Sequence, residues 1–346
     1  MLKLITIYQR EEWNAYIKNA LTYDFYHSWH YHSLDKCKGE PLLFVYQEKD
    51  DYIAFPLIKR AIPNTLYFDL SCVYGFTGPI SNRKFEDLDQ HLIDNFKNSF
   101  LVFLENEKVI TVFSRLNPFL NQNFLIQKFG GLHQNGKTVA INLQCSIEKQ
   151  RDNYRKTTAK HIRRCLEKNY VAKESKAIQD IEAFFDIYCD NMKRIGSTDF
   201  YLFDKQYFIT LLNSEDVDCR LVLVYSKGKI TCGQIIGCTH GILQAYLMGT
   251  AEEYLKESPA KFLIDQISMI GRKLDMKYYH LGGGFGFKED SLFKWKSSFS
   301  DLVFNYNTWR FIPNKKIYTD LVEKTGNDIN SEVDFFPLYR LEPQQA

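Results

Sequence analysis

The chain has no Cys-x-x-Cys pair and no group of His and Cys at zinc-ligand spacing, although it contains eight cysteines, at 37, 72, 145, 165, 189, 219, 232 and 238. Scattered in this way they read as reduced, buried thiols rather than as a metal site or a disulfide framework. Nothing approaches the run of about 20 apolar residues that a membrane span needs. The first residues, Met1 to Ile7, alternate as a strand does and lack the apolar stretch of a signal peptide, so a cytoplasmic location is expected. A formal charge of only +2 excludes a strong overall field toward nucleic acid or an anionic membrane, and leaves any such contact local. No Ser/His/Asp set and no cysteine nucleophile can be argued from spacing, so covalent catalysis is not expected and no metal is called for.

What the chain does have is apolar mass. Hydrophobic residues make up 45% and aromatics 15%, with 27 Phe and 22 Tyr, which rules out a disordered chain and predicts aromatic cores. At 346 residues, two domains are expected, at 1–145 and 146–346.

The first half reads as a strand near 3–7, helices near 10–20 and 27–36, and strands near 42–47 and 52–59 across a turn at Lys49-Asp-Asp51. After the loop Tyr74-Gly-Phe-Thr-Gly-Pro79 follow a helix near 84–99, a strand near 108–114, a helix near 118–127 and a strand near 138–143. A basic amphipathic helix at 146–169, with Arg151, Arg155, Lys156, Lys160, Arg163, Arg164 and Lys168 against Asp152 and Glu167, reads as a bridge. It is either a surface for tRNA or substrate phosphates or simply a solvated face.

The second half reads as helices near 177–194 and 204–213, then strands near 219–226, 229–239 and 242–249 joined at Lys227-Gly-Lys229 and His240-Gly241. Ser258-Pro259 opens a helix with a stripe of Phe262, Leu263, Ile267, Ile270 and Leu274, followed by a strand at 278–281. The tail reads as a strand near 301–311, a helix opened by Pro313 and a final strand at 335–341. The two halves share an order of elements, which hints at duplication.

The most chemical stretch runs from Leu281 to Ser300. It joins the glycines Gly282, Gly283 and Gly284 to alternating aromatics and lysines, Phe293, Lys294, Trp295 and Lys296. Glycines admit positive φ and close backbone approach, which suits either a binding turn or a bulge. A lysine held by aromatic packing suits a developing oxyanion, and Lys296 or Lys294 supplies it, the other pointing to solvent. Arg194 is a candidate clamp for a diphosphate or carboxylate, with Phe200, Tyr201 and Phe203 shaping a cleft, or else a structural ion pair. His280, Glu289 and Asp290 flank the glycines and are the candidates for a general base.

The pieces Tyr74-Gly-Phe-Thr-Gly-Pro79, Asn191-Met-Lys-Arg-Ile-Gly196 with Phe200-Tyr-Leu-Phe203, Ala245-Tyr-Leu-Met-Gly-Thr250, and the glycine turn followed by Ser291-Leu-Phe-Lys-Trp-Lys296, together with the basic helix, resemble the FemABX family. The resemblance spans nearly the whole chain. It implies an α/β fold with mixed α+β sheets: tandem GNAT-like acyltransferase domains with a cleft between or beside them. No pair of long heptad helices appears, so the coiled-coil arm of some members is not expected. It also implies transfer of an amino acid from aminoacyl-tRNA to a peptidoglycan precursor. By the resemblance Lys296 is where the family places a lysine that stabilises the transferred carbonyl, with Trp295 in place of a more usual phenylalanine. Tyr246 falls among tyrosines of the cleft, and Tyr74 in the loop that faces a nucleotide-sugar acceptor.

Ser81-Asn82 stands where an acidic residue is common, which weighs against a UDP-linked muropeptide. In acyl-CoA-dependent GNAT enzymes a glycine-rich loop cradles pyrophosphate at a helix N-terminus. The equivalent stretch Ala251 to Pro259 has no glycine and carries Glu252, Glu253 and Glu257, against ordinary CoA binding.

The expectation is thus an acyltransferase, with Lys296 and Tyr246 catalytic, and with Tyr74, Arg194, Tyr201, Gly282, Gly283, Gly284, Lys294 and Trp295 contacting substrate. It has no tightly bound cofactor, and its acyl donor is aminoacyl-tRNA or acyl-CoA. The acceptor is a nucleotide- or lipid-linked cell-envelope precursor, with peripheral membrane contact possible. Alternatives are an acyl-CoA-dependent N-acyltransferase on an amino sugar or small amine, and a non-catalytic ligand- or tRNA-binding module.

Overall fold

An antiparallel meander that continues through a helix into a parallel strand occurs twice in this chain. The structure, a computed structural model, describes residues 1–34, 39–198 and 201–342. In chain order the elements are β1 (Leu2–Thr6), α1 (Arg10–Lys18), α2 (Trp29–Leu34), β2 (Glu40–Glu48), β3 (Asp51–Ala61), β4 (Phe68–Ser71), β5 (Ile80–Ser81), α3 (Gln90–Asn106), β6 (Val109–Arg115), α4 (Gln122–Ile126) and β7 (Leu132–Asn142). There follow α5 (Ile147–Asp152), α6 (Lys156–Glu167), β8 (Val171–Ser175), α7 (Ile178–Arg194), α8 (Lys205–Leu212), β9 (Asp218–Ser226), β10 (Lys229–Thr239), β11 (Ile242–Thr250) and α9 (Pro259–Lys273). The last are β12 (Tyr278–Gly282), α10 (Ser291–Lys296), β13 (Val303–Phe311) and α11 (Lys315–Lys324).

The chain divides into two compact units, Met1–Asn135 with Tyr306–Ala346, and Gly136–Asn305. In the first, β1, β2, β3 and β4 pair antiparallel in succession, α3 follows, and β6 returns parallel to β4. In the second, β8, β9, β10 and β11 pair antiparallel, α9 follows, and β12 returns parallel to β11. Each parallel strand then takes an antiparallel neighbour from a distant part of the chain. β13 pairs β6 in the first unit, and β7 pairs β12 in the second. The chain after Tyr306 therefore packs with the first unit, whereas its place in the sequence put it with the second.

Local chemistry explains the meanders. Lys227 and Gly228, and likewise His240 and Gly241, hold positive φ at both central turn positions, as two-residue hairpins with a right-handed strand twist require. The first unit's core lies where α3 lays Phe96, Phe100 and Phe103, at helical spacing, over Phe44 and Phe55, and β13 adds Trp309 to the same cluster. Trp309 is 1% exposed and its ring stacks on Phe55 at 5.7 Å. In the second unit α9 buries Phe262, Leu263, Ile264 and Ile267 against β-strand residues that include Val139 and Ile141 of β7. Fully burying each such side chain is worth about 1.5–3 kcal/mol.

Some expectations are corrected. The basic segment is two helices, because Arg155 takes extended backbone (φ −57°, ψ 142°) between them and Tyr154 turns inward. Residues 338–340 form a 3-10 turn where a last strand was expected. Strands β4, β5 and β8 were not anticipated. Residues 291–296 are helical although their aromatics and lysines alternate. The end of the helix expected at 27–36, with Cys37, and Phe200 lie outside the described residues.

Candidate active site

The parallel pairing of β11 with β12 is short: Ile242, Leu243 and Gln244 face Tyr278, Tyr279 and His280. Beyond it β11 runs on to Thr250 while β12 ends at Gly282, so the two strands part just after Gln244 and His280. Both strands are also irregular there. On β11 a register shift between Ile235 and Ile236 leaves Tyr246 as the extra residue, since Ile235 faces Leu247 and Ile236 faces Ala245. On β12 a second shift between His280 and Gly282 breaks the pairing with β7. Bulges of this kind re-aim side chains at the ends of a sheet pair.

At the apex, Gln244 and His280 are both buried, and His280 Nδ1 lies 2.7 Å from Gln244 Oε1. The amide of Gln244 is oriented by its Nε2 donating to Ala245 O at 2.9 Å, so its oxygen accepts from a protonated Nδ1. Burial, and then the nearby Lys296 charge, lower the imidazole pKa to about 3. His280 is therefore neutral at any working pH and too weak a base to take a proton from an ammonium.

The glycines follow. Gly282 has φ +76°, and a Cβ there would sit 3.4 Å from Lys296 Nζ. A Cβ on Gly283 would lie 2.7 Å from the Phe287 ring, and one on Gly284 2.1 Å from Lys288 O and 2.3 Å from Asp290 Oδ1. Side chains thus do not fit at Gly283 and Gly284, while at Gly282 it is the positive φ that favours glycine. Asp290 closes it: its carboxylate accepts from Phe285 N at 3.0 Å and from Phe293 N at 2.8 Å, the second bond capping α10. These amides hold its pKa below the usual carboxylate range. Asp290 serves as a cap and not as a base, and Glu289 is an exposed partner of Lys137 at 2.9 Å.

Helix α10 then carries Lys296 back over the turn. Its Nζ donates to Gly283 O at 2.6 Å, and burial lowers its pKa to about 8, against the opposing pull of Asp290. The stem is half-buried, and the ammonium tip is the desolvated end. An ammonium fixed by a backbone carbonyl where two strands separate, with donors to spare, is suited to holding an oxyanion.

The structure thus gathers Lys296, Gly282, Gly283 and Gly284 in one place. Lys294 is exposed on another face of α10, and Trp295 packs on the core with its ring 5.2 Å from Phe299. Tyr246 stands on β11 two positions beyond Gln244, its hydroxyl 2.5 Å from that of Tyr207, and Tyr207 stacks on Phe203 at 4.3 Å. Tyr207 and Gln244 went unnoticed in the sequence; only the bulge and the strand register single them out. Arg194 is exposed at the end of α7 and bonds Asn191 at 2.6 Å, and Tyr201 gives its carbonyl to Tyr188. Tyr74 lies in the first unit, its carbonyl accepting from Tyr31 at 2.8 Å.

The stretch before α9 is a 3-10 helix, Glu252–Glu257, with Glu257 bound by Lys168 and Tyr170. Ser258 caps α9 by position, in the left-handed region, without a side-chain bond. Among the basic residues Arg151 forks onto the fully buried Asp265, at 2.9 and 2.8 Å, and so anchors α5 on α9. Lys156, Lys160, Arg163 and Arg164 are exposed. Among the described residues no group of His, Cys, Asp and Glu could hold a metal ion, and no helix is long and apolar enough to cross a membrane.

Comparison with known proteins bears on the fold. Residues 152–294 match the acetyltransferase (GNAT) domain family. The fold is similar to that of FemX, with TM-score 0.73 at 12% identity over 92% of this chain and 99% of that one. It is also similar to L-PGS from Bacillus licheniformis, with TM-score 0.60 at 13% identity over 91% and 96% of the two chains. A third similar fold is the C-terminal domain of a protein described as a lysylphosphatidylglycerol synthetase from Agrobacterium fabrum, with TM-score 0.57 at 13% identity over 89% and 94%. No curated protein matches the sequence. Residues 152–294 thus match a GNAT acetyltransferase domain, and the chain as a whole has a fold similar to that of FemX.

Proposed function

We propose that the chain joins an activated acyl or aminoacyl group to an amine of a cell-envelope precursor, forming an amide, with the reaction centred on Lys296. The observation that carries this reading is the enclosed ammonium at the mouth of the β11–β12 split, fixed on Gly283 O and poised at a pKa of about 8. The amine's lone pair attacks the acyl carbonyl carbon, and the C–N bond forms as the carbonyl oxygen takes the negative charge. Lys296 holds that oxyanion. When the intermediate collapses, the bond to the donor's oxygen or sulfur breaks, and the proton shed by the amine goes to the leaving group or to solvent. One good donor to an oxyanion is worth about 3 kcal/mol. Tyr246, the extra residue of the β11 bulge and tethered to Tyr207, is the second residue we assign to the reaction.

For the donor, aminoacyl-tRNA is the reading we favour. The likeness to FemX and to a protein described as a lysylphosphatidylglycerol synthetase supports amino-acid transfer toward the envelope. The 3-10 segment before α9 has Glu252 and Glu253 where a coenzyme pyrophosphate would need cations. The exposed lysines and arginines of α6 suit an RNA backbone. A second reading, an acyl-CoA donor, is favoured by the match to an acetyltransferase domain. Thermal-shift titration with charged tRNA and with acetyl-CoA, followed by mass spectrometry of amine acceptors, tests both. Stabilisation and an amide product with charged tRNA alone support the first reading; a product with acetyl-CoA alone moves the donor to the second. No product with any donor leaves only binding, against the catalytic assignment.

A further inference from the structure

The half-buried arginines of this protein are nearly all either paired with carboxylates or held by several oxygens. Arg60 and Arg340 pair with Asp69, Arg310 with Asp334, and Arg220 with Asp218 and Glu174. Arg272 bonds three oxygens, those of Leu143, Cys145 and Gln150. Arg115 is the exception. Half-buried at the end of β6, its guanidinium bonds only the thiol of Cys72, at 3.5 Å, and lies 5.1 Å from the Phe113 ring. Among the described residues no carboxylate pairs with it. Its other electrostatic neighbours are the phenols of Tyr306 and Tyr74. Asp334, the carboxylate that acts on Tyr306, is already held by Arg310 at 2.5 Å.

Such a guanidinium stays charged at any working pH and brings N–H donors that a thiol does not satisfy. A half-buried charge with no carboxylate beside it and with donors still open is placed to take up an anion.

Its place in the topology is as telling as its lack of a partner. In the first unit the parallel pairing of β4 with β6 covers Phe68 to Leu70 against Val109 to Val112, and Arg115 lies three residues past it. In the second unit the pairing of β11 with β12 ends at His280, and Gly283, which holds Lys296, lies three residues past it. The repeated fold thus sets a cation beyond the same strand end in each unit. Ligands of open α/β sheets bind outside the carboxyl ends of parallel strands.

The walls are firm. The loop Cys72 to Pro79 is pinned by Thr77 N to Arg115 O at 2.9 Å and by Gln122 Nε2 to Thr77 O at 2.7 Å. Gly75 has φ +123°, and a Cβ there would run into the Tyr26 ring at 2.3 Å.

We propose that Arg115, with Tyr74 and Tyr306 beside it, forms an oxyanion-binding site in the first unit, taking a phosphate or carboxylate group of a ligand. This site stands on the first unit alone and does not require the acyl-transfer reading. It places the anionic end of a substrate on Arg115 through the planar fork that suits either group.

Calorimetric titration of the full chain with inorganic phosphate, and separately with acetate, tests it, alongside Arg115→Gln and Arg115→Lys. Wild type binds one of the two anions, and which one saturates identifies the group. Arg115→Gln weakens that binding by about tenfold or more, and Arg115→Lys falls between, since it keeps the charge and loses the fork. Thermal unfolding of Arg115→Gln separates a site from a strut: removal of an unpaired charge leaves Tm unchanged or raises it. Lys296→Met binds the same anion as wild type does. Equal binding by Arg115→Gln and wild type, binding of neither anion by wild type, or a lowered Tm for Arg115→Gln overturns the proposal.

Discussion

At the scale of single residues, Lys296 decides most. Its ordinary pKa is 10.5 and burial brings it to about 8, so the ammonium is present at neutral pH and lost as the pH rises through 8. If the charged form holds the oxyanion, kcat falls about tenfold for each pH unit above 8. The sign for stability is opposite. Below pH 8 both the folded and the unfolded chain carry the proton and the full cost of burying it is present. Between 8 and 10.5 only the unfolded chain is charged, so that cost fades. The folded protein should therefore gain stability from this group as pH rises over that window, measurable as a difference in Tm between wild type and Lys296→Met that shrinks toward pH 10.

Gly282 offers a second test at this scale. An alanine there takes a φ of +76° at a cost of about 1–2 kcal/mol and brings its Cβ to the ammonium. Gly282→Ala should keep its fold by circular dichroism and lose turnover; full turnover would show that the turn's conformation does not matter to the chemistry. The Lys–Gly conjunction was readable in the sequence, whereas spacing alone left Lys296 and Lys294 as alternatives. The poised pKa was not, since it arises from an enclosure built by β12 and the turn. Arg115 was silent for the same reason: a missing counter-charge is a fact of three dimensions.

Elements were legible where backbone chemistry alone specifies them. Lys227-Gly228 and His240-Gly241 announced the hairpins because both positions need positive φ, and Pro259 announced α9. They were misread where a tertiary contact chose between patterns. Phe293, Lys294, Trp295 and Lys296 alternate as a strand would, yet the Asp290 cap starts a helix there. Strand β8 was missed because Val171 to Ser175 is largely exposed and polar, and only its pairing with β9 makes it a strand. The basic segment read as one helix because its periodicity runs through, and the break follows from Tyr154 turning in toward Asp265 at 3.2 Å. That same region yields a prediction. Arg151→Ala strands the buried Asp265 carboxylate with Tyr154 and Gln266 alone, and should destabilise the chain by about 2 kcal/mol in urea unfolding. A double change, Arg151→Ala with Asp265→Asn, should recover part of that loss, because the uncompensated charge is gone.

For the whole molecule, the order strand, helices, meander, helix, strand was visible twice in the sequence, and the structure shows that the strand closing this order pairs parallel in each unit. The origin of each unit's last strand was not visible. β13 enters the first unit and β7 the second, although each follows the other unit's parallel strand in the chain. Sequence order favours neighbours and gives no sign of such an exchange. A fragment of residues 1–145 therefore lacks Trp309, and a fragment of 146–346 lacks Val139, Ile141 and Leu143 of the second core. Losing a buried tryptophan alone costs about 3–5 kcal/mol, a large part of a domain's stability. Neither fragment should show a cooperative unfolding transition, whereas mixing the two should restore one; a cooperative transition in the 1–145 fragment alone would contradict the exchange.

The account rests on the nitrogen above Gly283, and single-turnover kinetics of Lys296→Met against wild type, with the same donor and acceptor at pH 7, test it most directly. The chemical step should slow by about 10²–10³ while donor affinity holds and Tm does not fall. A variant that turns over at the wild-type rate would show that the oxyanion is held elsewhere.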